Sequence, residues 1–333
     1  PRRAGPRVVS DLAVGGGQPL GNVAVGGGQP LPDVTAEARV GRRRGVLGRL
    51  LRQRSAVVGL VLLGFLALVA LFADVLATHD PIQVLLGVEP GIRPRTPPCI
   101  HLLGCAADIP QHLLGTDGNG RDEYSRLIHG TRVSLFIGFV TVFGAIFIGT
   151  VIGAVAGYVG GRTDNILMRL MDMLLAFPAL LLALVIVTVL GKGLINAMVA
   201  VAIVSIPVYA RVMRASVLSV RELDYVTAAK ALGDSSMSIL LRRVVPNSLT
   251  PLIVQATLGI GTAVLEVAAL SFLGLAAQAP TAEWGTMIGN ERNQLFTAPW
   301  LILAPGVALT ITVLAFNLLG DGLRDALDPR LSQ

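Results

Sequence analysis

Polar residues are scarce in the apolar runs of this sequence, so the few that occur there are the first candidates for chemistry. Three of them are Asp172, Glu266 and Asn317. A charge in lipid is unfavourable unless it is paired or faces water, so an unpaired carboxylate there is typical of a substrate path. Asp172 lies three residues from Arg169, which favours a structural ion pair. Glu266 has no basic neighbour one helical turn away and is our main candidate for the path, whereas Asn317 either lines the path or packs between helices.

The two cysteines, Cys99 and Cys105, offer either a disulfide or part of a metal site. A metal site needs more ligands at metal spacing, and the nearby His101 and His112 are weakly placed for one. A short-loop disulfide in an oxidising compartment fits the pair better. We therefore expect a disulfide between Cys99 and Cys105, and no metal site.

Glycines at 118 and 120 could belong to a phosphate-binding loop. No strand pattern precedes them, and the Gly-Lys-Ser/Thr sequence of such a loop does not follow. The chain is therefore not expected to hydrolyse ATP. We expect no catalytic residue, no covalent chemistry and no cofactor bound by this chain itself.

The elements that position these residues follow from composition. The 333 residues are 53% hydrophobic and only 14% charged, whereas a soluble domain carries roughly a quarter charged residues. The apolar residues occur in runs of about twenty, the length of a helix that crosses a bilayer. We predict an all-α polytopic membrane protein with six transmembrane helices. The predicted spans are at about 56–77, 132–158, 168–190, 195–217, 248–275 and 300–320.

Arginine placement predicts the orientation. Arginines crowd residues 39–54, directly before the first predicted span. The net charge of +6 would suit a nucleic-acid patch in a soluble chain, but beside a span such a cluster favours retention in the cytoplasm. Six spans then place both termini inside, together with the loop at 218–247.

The chain divides into four stretches. Residues 1–45 are rich in Gly, Pro, Val and Arg, and the octapeptide at 13–20 recurs at 24–31. This composition predicts a disordered cytoplasmic extension. The other stretches are a basic flank with the first span at 46–78, an external proline-rich loop at 79–130 and a transmembrane core at 131–333.

A polar stretch at 218–247 interrupts the core. Its first half, from Tyr225 to Leu232, is built from helix formers and stops at Gly233, a common helix terminus. Its second half is expected to be an amphipathic helix that stops at Pro246. The apolar positions of that second helix are Met237, Leu240, Leu241 and Val244. Two such helices predict a compact knob, which either docks into a groove of another protein or covers helix ends.

Within this stretch, several residues resemble the signature loop of the membrane subunits of bacterial ABC importers. That loop runs Glu-Ala-Ala, three residues, Gly, nine residues, Ile, one residue, Leu and Pro, and it plugs into the ATPase subunit. The matching residues are Ala228, Ala229, Gly233 and Pro246. Thr227 replaces the glutamate, Arg243 the isoleucine and Val245 the leucine.

The resemblance implies that 218–247 is an ATPase-coupling loop. Because Thr227 carries no charge, a salt bridge from this position is not expected. Apolar burial on one face of the second helix should dominate the contact instead. The residues expected on that face are Met237, Leu240 and Leu241.

Further motifs, from about residue 50 to the end, resemble in their order the C-type permeases of the dipeptide/oligopeptide/nickel ABC importer family. These motifs are Gly-Thr-Asp at 115–117, Gly-Arg-Asp at 120–122, Ser-Arg-Leu at 125–127, Gly-Gly-Arg-Thr-Asp at 160–164, Ala-Phe-Pro at 176–178, Ser-Phe-Leu-Gly-Leu at 271–275, Glu-Trp-Gly at 283–285 and the run from Asn317 to Arg330. The resemblance implies the type I ABC importer permease architecture and import of short peptides across the bacterial plasma membrane.

The same resemblance implies partners. They are a homologous second permease subunit, two ATPase subunits that bind ATP and Mg²⁺, an extracytoplasmic substrate-binding protein and the lipid bilayer; no nucleic acid is expected. Nickel, glutathione or haem are alternative cargoes within the family, although the four histidines all lie outside the predicted spans. An ion-coupled secondary transporter is the alternative from another class. It would show inverted repeats and broken helices, which the sequence pattern does not indicate, and it leaves the knob unexplained.

Overall fold

A computed structural model describes residue 48 and residues 50–106 and 109–327. Residues 1–45, with the octapeptide repeat, lie outside these residues, so the prediction that they are disordered is not tested by the structure. Within them the chain is all-helical, with isolated β-bridges but no strand. The helices are α1 (Arg54–Leu71), α2 (Ala73–Leu76), α3 (Glu123–Val159), α4 (Gly161–Leu175), α5 (Ala179–Leu190), α6 (Leu194–Val220), α7 (Asp224–Ala231), α8 (Ser236–Ile239), a π-helix (Leu240–Val244), α9 (Val245–Phe272), α10 (Trp284–Glu291) and α11 (Trp300–Leu327).

The predicted spans correspond to these helices. Five segments are long and apolar enough to cross a membrane: α1, α3, α6, the continuous helix Ser236–Phe272, and α11. A sixth is formed if α4 and α5 are counted as one span, bent by 91°. Counted along the chain, the spans place residues 72–122 and 273–299 at one end of the bundle, and residues 221–247 at the other. We call these ends the loop end and the knob end.

The third span starts earlier than the prediction at 168–190, and it is a broken helix, which the sequence pattern did not indicate. Its helix already begins at Gly161 and breaks before Pro178, because proline lacks a backbone donor and disfavours a helical residue before it. Acidic side chains of α4, the first half of this pair, form ion pairs with arginines of α6. Asp172 bonds Arg211 Nη2 at 2.5 Å, so the expected pair with Arg169 is wrong.

Glycines of α3 set the contact with α6 at the centre of the fold. A Cβ at Gly149 would lie 2.7 Å from the Cβ of Tyr209, and one at Gly153 would lie 2.8 Å from the Cβ of Met213. Helices in lipid associate through close packing of this kind. A Cβ at Gly144 on the same helix would meet nothing within 4 Å, so not every glycine of α3 lies at a helix contact.

Candidate functional site

The knob, defined here as residues 221–247, begins with α7 and reverses direction at Gly233. The N–H of Asp234 donates to the carbonyl of Ala229 and the N–H of Gly233 to that of Lys230, both at 3.1 Å. Gly233 has a φ of +87°. This pair of bonds with a left-handed residue is a Schellman motif, which glycine adopts without strain. Helix α7 therefore ends at the glycine, where the sequence placed its end.

The second half of the knob differs from the prediction that it stops at Pro246. Helix α8 passes through the π-helix into α9 without a break. Pro246 is the second residue of α9 and directly follows the π-helix, so the altered hydrogen bonding of the π-helix accommodates its missing N–H inside a continuous helix. The knob is therefore the beginning of a helix that continues as a membrane span.

One face of the knob packs on the bundle core. Val226 and Ala229 of α7 are buried there, as are Ile239 and Val244 from the second half. Leu240 belongs to the same face and is only 8% exposed. The prediction that Leu240 shares an outward surface with Met237 and Leu241 is therefore wrong. Leu240 and Val244 lie four residues apart on one side of the helix, and that side covers the core.

The opposite face of the knob presents apolar side chains to the outside. Leu232, Met237 and Leu241 are 85%, 64% and 58% exposed; we call these three residues the apolar triad. Of the matched loop positions, Ala228, Gly233 and Pro246 are also exposed, whereas Ala229 is buried. Thr227, which replaces the family's glutamate, is exposed too. The outer surface thus carries exposed apolar side chains on both sides of the glycine turn, among polar and charged ones such as Lys230 and Arg242.

Arg243 stabilises the turn from the second half of the knob. Its Nη2 lies 2.7 Å from Oδ2 of Asp234, the residue directly after Gly233. The family loop has isoleucine at the position of Arg243, so this chain replaces an apolar residue by a charged one that binds within the knob. Both side chains are more than one third exposed, which limits the pair to a modest stabilisation.

A cavity of about 150 Å³ lies between the bend of the third span, α6 and α9. Glu266 and Tyr209 line it together with Gln255, and the apolar part of its wall includes Phe177. Glu266 is half-buried and has no ion pair among the described residues. An unpaired carboxylate in such a wall suits a cationic group of a solute.

A second space lies beside this cavity, toward the knob end of the bundle. A groove of about 420 Å³ is lined by Pro251, Gln255 and Arg324, and Gln255 also lines the cavity of Glu266. The two spaces follow α9 one after the other. Asn317 is exposed on α11 and lines neither of them, so the structure does not bring it together with Glu266.

At the loop end, a buried arginine joins the polar loop to the bundle. The guanidinium of Arg126 donates to the carbonyls of Pro81 at 3.0 Å and Pro280 at 3.1 Å, and Nε lies 3.6 Å from Asp117. Arg121 bonds the same aspartate at 2.7 Å. The motifs that carry the sequence resemblance here therefore build a structural junction.

A second contact joins the loop to α10. Arg95 Nε bonds Glu291 at 2.7 Å, and the N–H of Gly118 donates to the other oxygen of the same carboxylate at 2.8 Å. Trp284 is fully buried and donates to the carbonyl of Leu127 at 3.0 Å. These contacts hold α10 and the loop as one unit at the end of α3.

The loop also contains the two cysteines, joined in a disulfide with a Cα–Cα distance of 5.5 Å. Cys99 exchanges backbone hydrogen bonds with His112 at 2.9 and 3.1 Å. Burial opposes protonation of His112, but the hydrogen bond and charge of Asp122, with the charge of Glu89, outweigh it and raise the pKa of this imidazole. Positive charge is therefore favoured between the two carboxylates. His101 lies apart and contacts the carbonyl of Ile109.

Two families of known proteins match this sequence. Residues 149–333 match the family described as binding-protein-dependent transport system inner membrane component, and residues 42–98 match the N-terminal TM domain of oligopeptide transport permease C. The dipeptide transport system permease protein DppC of Alkalihalophilus pseudofirmus is 44% identical over 288 residues, covering 86% of this chain and 90% of the relative.

A second relative is named for another cargo. The glutathione transport system permease protein GsiD of Pectobacterium atrosepticum is 46% identical over 220 residues, which cover 66% of this chain and 73% of GsiD. Among solved structures, a chain of an inward-facing MetNI methionine ABC transporter matches with a TM-score of 0.52 at 20% identity. The match covers 61% of this chain and 97% of the MetNI chain. That similarity shows the fold alone.

Proposed function

This chain belongs to the family of binding-protein-dependent transport system inner membrane components, and we propose that it is one of two permease subunits of an ABC importer for short peptides. Its apolar spans make it a multi-pass membrane protein. The related chains named for dipeptides and glutathione support a cargo with a peptide backbone. The chain itself acts mechanically, while two partner ATPase subunits bind ATP and Mg²⁺.

The observation that carries the proposal is the apolar triad on the knob. Leu232, Met237 and Leu241 are exposed, whereas other apolar residues of the knob pack on the core, namely Val226, Ala229, Ile239, Leu240 and Val244. Leu232 directly precedes Gly233, and Met237 and Leu241 follow it in the second half of the knob, within the stretch that resembles the ATPase-coupling loop of the family. An apolar patch on a firmly packed helix pair suits insertion into a groove of a partner protein.

The continuous helix Ser236–Phe272 connects the apolar triad to the cavity that Glu266 lines. From Leu241 to Glu266 the chain is helical, and 25 residues at 1.5 Å each amount to roughly 38 Å. A movement of the knob, driven by closure of the ATPase pair, is therefore transmitted along α9 to the cavity. Alternating access to the cavity and its neighbouring groove is the expected consequence.

The orientation follows from the arginines before α1 and in the knob. Arg242 and Arg243 lie in the knob, and positively charged segments favour the cytoplasmic side. We therefore place the knob end, with both termini, in the cytoplasm. The loop end then faces outward, toward the substrate-binding protein, in a compartment that permits the Cys99–Cys105 disulfide.

Glu266 is proposed to receive the amino group of the peptide. The carboxylate faces the cavity beside Tyr209 and Gln255, so it can bind an ammonium group without lipid contact. Glutathione, with an amino group of its own, is the second candidate cargo, and the identity to GsiD favours it over nickel or haem. The histidines of the described residues do not line the cavity.

Dependence of uptake on ATP, rather than on a proton gradient, distinguishes the proposed ABC importer from a secondary transporter. Vesicles with this chain, the second permease, the two ATPases and the binding protein should take up labelled dipeptide only with ATP, even when a protonophore removes the proton gradient. Uptake that needs the gradient and ignores ATP would contradict it. A preparation without the binding protein serves as the control and should show little uptake.

A further inference from the structure

Four side chains meet in the loop although they are scattered along its sequence. They are His79, Glu89, His112 and Asp122. His112 and Asp122 are fully buried, and the side chains of His79 and Glu89 are 22% and 26% exposed. Ligand atoms of His79, His112 and Asp122 all lie within 4.8 Å of one another.

The two imidazoles face one carboxylate. Nε2 of His112 lies 3.2 Å from Glu89 Oε2, and Nε2 of His79 lies 3.4 Å from Glu89 Oε1. Ligand atoms that share one tetrahedral ion at 2.0–2.1 Å are roughly 3.3–3.4 Å apart. The observed separations are close to this value, and they end on different oxygens of Glu89, so the carboxylate spans the two rings.

The other nitrogen of each ring is already engaged. Nδ1 of His112 bonds Asp122 at 2.7 Å, and Nδ1 of His79 bonds the hydroxyl of Thr78 at 2.9 Å. Asp122 in turn accepts a bond from the N–H of Ser125 at 2.8 Å. A histidine that binds a metal usually donates its second N–H in this way, which fixes the tautomer and the ring orientation.

These hydrogen bonds determine whether Nε2 of His112 presents a proton or a lone pair to Glu89. If Nδ1 of His112 donates to Asp122, a neutral ring turns the lone pair of Nε2 toward a carboxylate oxygen only 3.2 Å away. Two lone pairs at that distance repel. A proton shared between the two groups, or a metal ion bound by both, removes this repulsion.

We propose that His79, Glu89 and His112 form a site for a divalent transition metal of the zinc type, with Asp122 as the outer partner of His112. Two imidazoles and one carboxylate are a ligand set that zinc accepts, and the fourth position is left for water. The site is preorganised, because the backbone of His112 is bonded to disulfide-linked Cys99. This proposal departs from the expectation of no metal site, which considered only His101 and His112.

The metal would tie the start of the loop to its end. His79 lies three residues after α2, and Asp122, the outer partner of His112, caps α3. One ion would therefore connect both edges of the loop through His79 and the His112–Asp122 pair. This role is independent of the proposed peptide transport and can be tested without it.

Zinc binding to the purified full chain is the test. Protein in detergent is stripped with EDTA, exchanged into buffer at pH 7.5 and titrated with ZnCl₂ by calorimetry. We expect one ion per chain, a higher melting temperature with zinc, and an X-ray absorption spectrum with two imidazole ligands. His79→Gln and Glu89→Gln should each weaken binding by more than tenfold.

His101→Gln is the matched control, because this loop histidine contacts only a backbone carbonyl at 2.8 Å. It should bind zinc as the unchanged chain does. Size-exclusion profiles and circular dichroism establish that the variants fold. The proposal is overturned if the unchanged chain shows no saturable binding, which would assign the cluster to protonated ion pairs. It is also overturned if His79→Gln and Glu89→Gln bind like His101→Gln, or if the spectrum lacks imidazole ligands.

Discussion

Truncation of the apolar triad should separate ATPase docking from folding. Met237 and Leu241 are 64% and 58% exposed, so more than half of each side chain is left for a partner to cover. Full burial of such a side chain contributes about 1.5–3 kcal/mol, and the uncovered part corresponds to about 1–2 kcal/mol. Met237→Ala or Leu241→Ala should therefore weaken ATPase association roughly 5-fold to 30-fold.

Leu240→Ala is the internal contrast in the same helix. Leu240 is only 8% exposed and packs in the core, so its truncation leaves a cavity and destabilises the chain by about 2–5 kcal/mol. We expect a lower melting temperature for Leu240→Ala and an unchanged one for Met237→Ala and Leu241→Ala. Leu102→Ala, at an exposed leucine of the loop end, controls for the loss of any surface leucine.

The assay is titration of detergent-solubilised permease variants with the ATPase pair, with melting temperatures from the same preparations. Peptide uptake in cells that carry each variant then reports coupling. The argument fails if Met237→Ala and Leu241→Ala bind the ATPases as tightly as the unchanged chain. It also fails if Leu102→Ala weakens binding equally.

Three further predictions concern the path, the helix contact and the loop. Glu266→Gln should lower the uptake of dipeptides with a free amino group while the subunits still assemble, because the cavity loses its carboxylate; equal uptake of all peptides would contradict this. Gly153→Ala should destabilise the α3–α6 contact by about 1–3 kcal/mol and lower the melting temperature, whereas Gly144→Ala, which points into open space, should not; equal effects would refute the packing argument. Cys99 and Cys105 should resist alkylation in freshly isolated protein without reductant, since their Cα atoms lie 5.5 Å apart; mass mapping that finds both thiols labelled would contradict the disulfide.

Local signals in the sequence predicted the local structure well. The end of α7 depends on Gly233 and its neighbours alone, because only the backbone conformation of a few residues decides it. The spans follow from the length of the apolar runs in the same way. Pro246 misled the prediction, since proline usually ends a helix, whereas here a π-helix directly before it lets the helix continue. The sequence does not show that a π-helix forms.

Features that depend on distant contacts were not predictable in this way. Leu240 and Leu241 have the same chemistry, and only the position of the core decides that one is buried. The partner of Asp172 is Arg211, 39 residues away on α6. Arg95 and Glu291 are 196 residues apart and have no common periodicity.

Uptake of a labelled dipeptide by cells that lack this chain tests the central claim most directly. The account predicts that uptake is lost, that the unchanged chain restores it, and that unlabelled di- and tripeptides compete whereas nickel and haem do not. A chain with Leu241→Asp in the knob should express and insert normally but restore little uptake. Full uptake without the chain, or competition by nickel or haem alone, would contradict the account.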